Sequence, residues 1–436
     1  ATEDTLNQRA DLLKDGWTVE SSMRYTEPVS AVTQIMLRHD ASYSENTSDK
    51  KTWDREMVFG NDALNETLSN EFANQYLTQS ASAGINYEEG DIDLIASVGY
   101  QWATLQNDQR YPYEGSLSRS FGNLVPFARM RWKISRSKNV HVFYRSRTSP
   151  PTIDQMQDVL DNSNPLQLSI GNPGLDQSSM HFGGLRYSST DIENSAYFFA
   201  FAGASVTEDY IGSHSFLASR DTTVFGIPLG AGTQISRPEN LDGQYSFRGF
   251  MTYGRPVDFL KSNLNINFTG TLSNTPGLIN GRQNESFTRS VGVGAVLSSN
   301  ISPDFDFTLT SNASNNWVQN SVQDAYTTEY FSLDSRLRFN WIMWAGFVFN
   351  TDLAHQYYSG LSSDYDDDYL LWNISIGKKV FPNDRGEIRL TLYDVLGQNN
   401  SIRRSVTDIY IEDARSNVIQ RYVLLSFTWN LRHFTI

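Results

Sequence analysis

Apolar and polar side chains alternate with a period of two along almost the whole chain, the pattern of strands that present one face to an apolar medium and the other to water. Near the start Trp17, Val19, Met23 and Tyr25 alternate with Thr18, Glu20, Ser22, Arg24 and Thr26. Further on Ile92, Leu94, Ala96, Val98, Tyr100 and Trp102 share a face. Leu264, Ile266 and Phe268 alternate with Asn263, Asn265, Asn267 and Thr269, and Phe305, Phe307 and Leu309 with Asp306, Thr308 and Thr310. A face of Asn and Thr suits a wet lumen. Val423, Leu425, Phe427, Trp429 and Leu431 oppose Leu424, Ser426, Thr428, Asn430 and Arg432 near the C-terminus, over a length close to the 9 to 11 residues with which a tilted strand crosses a bilayer.

The connections alternate in length. Tight ones are expected at Glu27 to Val29, Glu88 to Asp91, Ser135 to Lys138, Ile301 to Asp304 and Phe381 to Glu387. Long polar ones are expected at Glu45 to Ser69, Thr148 to Gln177, Asp209 to Asp242 and Gln398 to Asn417. Outer-membrane barrels pair short periplasmic turns with long outer loops in this way, and the scheme gives about seventeen strands. The first, Gly16 to Thr26, and the last, Gln420 to Phe434, both run toward the short-turn side. Single-chain bacterial barrels usually have even strand numbers, so the odd count implies the C-terminal part of a larger barrel, entered from the tail of an outer loop.

The expected fold is therefore all-β: a transmembrane antiparallel β-barrel spanning 1–436 as one domain. Composition agrees. A spanning helix needs about 20 consecutive apolar residues, and the longest apolar stretch, Trp341 to Phe349, is far shorter. Aromatics make up 13% although mean hydropathy is -0.44, which a barrel tolerates because only alternate residues meet lipid and the backbone is paired between strands. A soluble sandwich or propeller of short strands fits less well with strands of this length and with Trp, Phe and Tyr on their apolar faces. Cysteine is absent and the net charge is -14, which excludes thiolate metal sites and argues against nucleic acid as a partner. Ala1 to Asp15 is polar and has no leader pattern.

The last seventy residues resemble the Bacteroidota outer-membrane β-barrel family related to TonB-dependent receptors, in Trp372-Asn373-Ile374-Ser375-Ile376-Gly377-Lys378-Lys379, Leu392-Tyr393-Asp394-Val395-Leu396-Gly397-Gln398-Asn399-Asn400 and Arg421-Tyr422-Val423-Leu424-Leu425-Ser426-Phe427. Tyr144-Arg145-Ser146-Arg147, Pro150-Pro151, Asn164-Pro165 and Gly171-Asn172-Pro173-Gly174-Leu175 look like the mid-barrel strand and loop of such receptors. The resemblance implies a barrel of twenty-two strands occluded by a plug, located in the outer membrane. It also implies uptake of a scarce ligand, a ferric siderophore, glycan or peptide, with energy passed from the inner membrane by TonB. TonB acting through a plug, a surface lipoprotein, and lipid with lipopolysaccharide are the implied partners, and no cofactor is implied. The sequence departs from the family in lacking a recognisable plug, TonB box and first strands.

No catalytic constellation stands out. His39, His141, His181, His214, His355 and His433 are scattered without metal-ligand or nucleophile spacing, so an enzyme is not expected. The most informative cluster is a hairpin: Phe127, Arg129, Arg131 and Lys133 oppose Ala128, Met130, Trp132 and Ile134, and across the turn His141, Arg145 and Arg147 alternate with Val142 and Tyr144. With the apolar face on lipid, the cations form an inward basic ladder that either attracts an anionic ligand by field focusing or pairs with carboxylates of a plug or neighbouring strands. Asp364, Asp366, Asp367 and Asp368 offer hard oxygens to calcium but lack the calcium-loop spacing, so a solvated acidic loop is the plainer reading. Trp317, Tyr357 and Tyr358 are assigned to the interfacial girdle rather than to sugar stacking. Thr152 to Leu160 reads as a short helix capped by the Thr152 hydroxyl, either a surface turn or an element folded into the lumen mouth. Three functions remain open: a TonB-dependent importer, a passive porin, and a structural barrel that scaffolds an outer-membrane complex.

Overall fold

The computed structural model describes residues 7–55, 62–111, 114–162, 164, 166–299, 301–322, 328–360, 367–399, 401–406, 411–416 and 418–431. They form one large antiparallel wall in which each strand pairs with the next. In chain order the wall strands are β1 Gln8–Pro28, β2 Thr33–Arg55, β3 Asn70–Glu89 and β4 Ile92–Tyr111. Then comes β5, in two segments, Gly115–Leu124 and Phe127–Ser135, parted at Pro126, which has no N–H to give the ladder. There follow β6 Lys138–Ser149, β7 Ser178–Asp191, β8 Ala196–Glu208, β9 Gln244–Val257, β10 Ser262–Ile279, β11 Arg282–Ser299 and β12 Phe305–Asn320. The wall ends with β13 Thr328–Ile342, β14 Phe347–Ser359, β15 Asp367–Val380, β16 Gly386–Tyr393 and β17 Tyr422–Trp429. Seventeen wall strands thus stand among the described residues, as the alternation implies. No pairing joins β17 to β1 among them, and because neighbours alternate in direction, these two edges run the same way.

The registers fix which face is which. Trp17 faces Glu45, Tyr25 faces Leu37, Leu37 faces Ala83, and Ala83 faces Val98, so the apolar members of each strand share the outer surface. On β1 the outward residues from Trp17 to Tyr25 span roughly 26 Å of strand at about 3.3 Å per residue, which at a barrel strand's tilt rises about 20 Å, most of the apolar band of about 25 Å in such barrels. Above Trp17, Tyr43, Leu77 and Trp102 the outward positions turn polar, with Asp15, Glu45, Gln75 and Gln106. The band ends there, and the strands continue into water.

This corrects the boundary expected at Glu45 to Ser69. β2 stays paired with β1 and β3 up to Asp54 and Lys50 respectively. Above the lipid both faces are solvated, so the alternation that marks a strand vanishes while the ladder of hydrogen bonds persists. The segment Asp209 to Asp242 likewise contains a hairpin, Tyr210–Leu217 with Gln234–Leu241.

One end of the wall carries only short turns, at 29–32, 90–91, 136–137, 192–195, 258–261, 301–304, 343–346 and 381–385, and each expected tight turn falls there. The opposite end carries the long connections. Two connections there are short: residues 112–114 between β4 and β5, and Asn280-Gly281, where β10 and β11 meet in two residues with φ of 50° and 76°, the left-handed pair that matches strand twist in a hairpin.

Candidate functional site

Two places on the lumenal side gather chemistry: the mouth, and the inner wall from β4 to β9.

At the mouth, the connection between β6 and β7 folds inward rather than out into solvent. The helix is shorter than expected, Ile153–Met156, and Thr152 caps it, its Oγ1 accepting from Gln155 N at 3.3 Å while Gln155 Oε1 accepts from Thr152 N at 2.8 Å. Lys14 Nζ, on the inner face of β1, meets Asp154 at 2.8 Å, and Lys50 of β2 lies 3.8 Å from Asp161. Met156 and Leu175 are fully buried. The element therefore lies in the lumen mouth, the second of the two placements the sequence left open.

Gly171-Asn172-Pro173-Gly174-Leu175 acts as its clasp. Gly171 N donates to Gln157 O at 2.7 Å, and a Cβ at Gly171 would stand 2.2 Å from that oxygen. Asn172 Nδ2 donates to Pro238 O at 3.0 Å, and its Oδ1 accepts from Arg237 at 2.8 Å. The loop is thereby tied to the hairpin 210–241, whose Ile235 and Ala218 pack with Ile170 and Leu229 in a small apolar core. Between loop, hairpin and the inner faces of β1, β2 and β10 lies a cleft of about 900 Å3, whose lining mixes amides and hydroxyls such as Gln155, Asn162, Thr52, Ser213 and Ser236 with apolar side chains such as Leu12, Val159 and Ile211. Residues from β1 and β10 border the same cleft, which shows how far the wall curves. Asn70, Gln157 and Arg237, which also border it, each carry buried polar atoms with no hydrogen-bond partner.

The basic ladder sits lower. Arg129 faces Phe143 and Arg131 faces His141 across the β5–β6 hairpin, and Arg145 faces Phe127. Lys133 and, by register with Met180, Arg147 share that inner face. The structure thus places all six sequence-selected residues on the lumen. Asp93 of β4 partly neutralises the ladder, 3.1 Å from Arg131 and 3.7 Å from Arg129.

Sequence reasoning missed the neighbours that complete this wall. Arg186 of β7 faces His141, and Phe143, Phe199, Phe201 and Phe250 line one recess with Arg129, His141 and Arg186, about 430 Å3 in volume. Phe143 and Phe201 stack with centroids 6.4 Å apart, Phe199 and Phe250 at 5.3 Å, and the Arg145 guanidinium lies 5.4 Å over Phe182. The signal available was Tyr197-Phe198-Phe199-Ala200-Phe201-Ala202, apolar on both faces of β8. Counted by register, the inner face of β4 to β9 carries Arg119, Arg129, Arg131, Lys133, Arg145, Arg147, Arg186 and Arg248 against one carboxylate, Asp93, among the described residues.

The acidic loop and the histidines other than His141 add nothing to either place. Asp364 and Asp366 lie outside the described residues, as do the side chain of Asp367 and His433. Asp368 meets His355 at 2.7 Å on the outer face. Among the described residues no three His, Asp or Glu side chains are placed to hold a metal. Trp317 and Tyr357 face outward, as girdle residues do, but Tyr358 pairs with Ser332 on the inner face and belongs to the mouth.

An amphipathic wall with an outward apolar band, a polar and charged lumen, short turns at one end and long connections at the other is matched by a family model for the outer membrane protein beta-barrel family over residues 2–312. The chain belongs to that family. This barrel therefore resides in the outer membrane and crosses it with many strands. The matched stretch includes the clasp and the basic wall; the C-terminal resemblance noted above lies beyond it, although the same registers continue to Trp429. No curated protein matches. Among solved structures the barrel is similar to the siderophore receptor PirA from Pseudomonas aeruginosa, at 12% identity and a TM-score of 0.39, over 99% of this chain and 82% of that one.

Proposed function

We propose that this barrel is the wall of a TonB-dependent receptor that imports a scarce ligand through its lumen. The observation that carries the reading is the mouth: the β6–β7 connection is folded in and clasped over a cleft of about 900 Å3, within the size of small-molecule sites. A passive porin is better served by an open mouth. The edges of β1 and β17 run the same way, so antiparallel closure needs an odd number of further strands. Five such strands ahead of Gln8, with a plug, make up the family's barrel of twenty-two. The partners are then TonB through that plug, and lipid and lipopolysaccharide around the band; a surface lipoprotein lid fits over the mouth.

The natural polypeptide, purified from outer membranes and inserted in a planar bilayer, tests this. The receptor reading expects no steady conductance, and ligand uptake by cells that stops when the inner-membrane proton gradient is collapsed. A stable open conductance with gradient-independent uptake would establish the porin instead.

A further inference from the structure

We infer that the recess formed by β5 to β9 is a subsite for an anionic arene, an aromatic ring bearing a carboxylate, sulfonate or phenolate; this deepens the receptor reading and rests on it. The recess combines two features that separately suit different ligands. Its floor is aromatic, with Phe143 stacked on Phe201 at an interplanar angle of 17° and Phe199 on Phe250 at 20°. Its rim carries two guanidinium cations, Arg129 and Arg186, together with the His141 ring. Arg186 has no carboxylate within ion-pair distance among the described residues, and Arg129 has Asp93 only at 3.7 Å.

The space is kept open by backbone. A Cβ on Gly184 would stand 2.7 Å from the Phe143 ring, and one on Gly203 would stand 2.8 Å from the Phe201 ring. Glycine at these two inward positions lets the rings turn flat against the wall and leaves about 430 Å3 in front of them. A ring laid on Phe faces gains stacking, whose preferred geometry is offset or edge-on, while its anionic group reaches guanidinium donors that hold planar anions by paired bonds. A saturated sugar lacks the π face, and a small inorganic anion leaves the Phe floor wet. Charge complementarity therefore selects the sign of the occupant, and the floor selects its ring.

The experiment is fluorine NMR on the natural full-length protein in detergent, with 4-fluorobenzoate as probe and 4-fluorobenzyl alcohol and trifluoroacetate as the ring-only and charge-only controls. The proposal expects fluorobenzoate to broaden saturably and both controls to bind much more weakly. Arg186→Gln should weaken the probe about tenfold, as loss of a charged hydrogen bond does, Arg186→Lys should restore part of it, and Phe201→Leu should weaken it without altering trifluoroacetate. No binding to folded protein, or binding unchanged by these variants, overturns the proposal. Equal binding of trifluoroacetate reduces the wall to an unspecific field and also overturns it, as does cross-linking from position 186 to a segment outside 7–431, which makes the occupant protein. Binding in detergent is independent of energised uptake, so a porin that binds fluorobenzoate refutes only the receptor reading, and a receptor that does not bind it refutes only this one.

Discussion

The inner faces of β4–β9 and β12–β16 are built from the same strand type, yet they treat charge in opposite ways. On β12–β16, Arg336 donates to Asp352 through Nε at 2.7 Å, Arg338 stands 3.7 Å from the same carboxylate, and Arg389 meets Glu387 at 2.6 Å. Asp306, Asp334, Asp352 and Glu387 there balance Arg336, Arg338, Lys379 and Arg389. On β4–β9 eight cations stand against one wall carboxylate, Asp93, which reaches Arg129 and Arg131, and against Asp176 of the mouth loop, 3.5 Å from Arg119, in a chain whose net charge is -14. A balanced wall neutralises itself strand to strand and needs no occupant. An unbalanced one is completed by whatever enters the lumen.

The largest effect expected from breaking this contrast is charge reversal. Arg129→Glu with Arg186→Glu should lower ligand uptake by about a hundredfold, the range over which field focusing changes local concentration, with the barrel still heat-resistant in detergent gels. Arg336→Gln on the balanced wall should do the reverse, leaving Asp352 short of its closest partner, lowering the unfolding temperature and sparing uptake.

Filling the recess comes next. Gly184→Val pushes a side chain into the Phe143 ring and should reduce binding of aromatic anions by about tenfold, comparable to other overpacking costs, with acetate unaffected in the same titration. Asp93→Asn sharpens the comparison in the other direction. It frees Arg129 and Arg131, whose side chains are 47% and 39% exposed, so stability should move by no more than about 1 kcal/mol while anion binding tightens severalfold and becomes more salt-sensitive.

The smallest effect lies at the outer rim. Burial, with Asp242, Asp176 and Glu208 near it, raises the Asp209 carboxyl above its ordinary value of 3.8. Raised in the folded state, it binds its proton more tightly there than when unfolded, so the fold gains as pH falls into that window and loses as pH rises through it. Asp209→Asn should therefore slow protease nicking of 209–243 at pH 7 and change nothing at pH 3.

Much of the wall was legible because lipid enforces alternation: Trp17 to Tyr25, Ile92 to Trp102 and Val423 to Trp429 could be read directly. Where lipid ends, the rule ends, which is why Glu45 to Arg55 reads as loop and folds as strand. The basic ladder was legible for the same reason, since an outward apolar face leaves Arg129, Arg131, Lys133, His141, Arg145 and Arg147 only the lumen. Arg186 and the Phe floor were not, because β8 is apolar on both faces and a period-two reading has no contrast to detect there. The clasp stood out as a motif, but its role depends on Pro238 and Arg237, some sixty-five residues away, which no local pattern supplies.

Absence of cysteine makes the central contrast directly measurable. Single thiols at Ser188 and Thr252 on the basic wall, and at Thr310 and Asn350 on the balanced wall, are each the sole thiol within residues 1–436 of their variant. Rates of modification by an anionic and a cationic methanethiosulfonate reagent are then compared in outer-membrane vesicles. The account predicts a preference for the anionic reagent at least about tenfold greater at Ser188 and Thr252 than at Thr310 and Asn350, falling as salt screens the field. The same ratio of rates on both walls would contradict it.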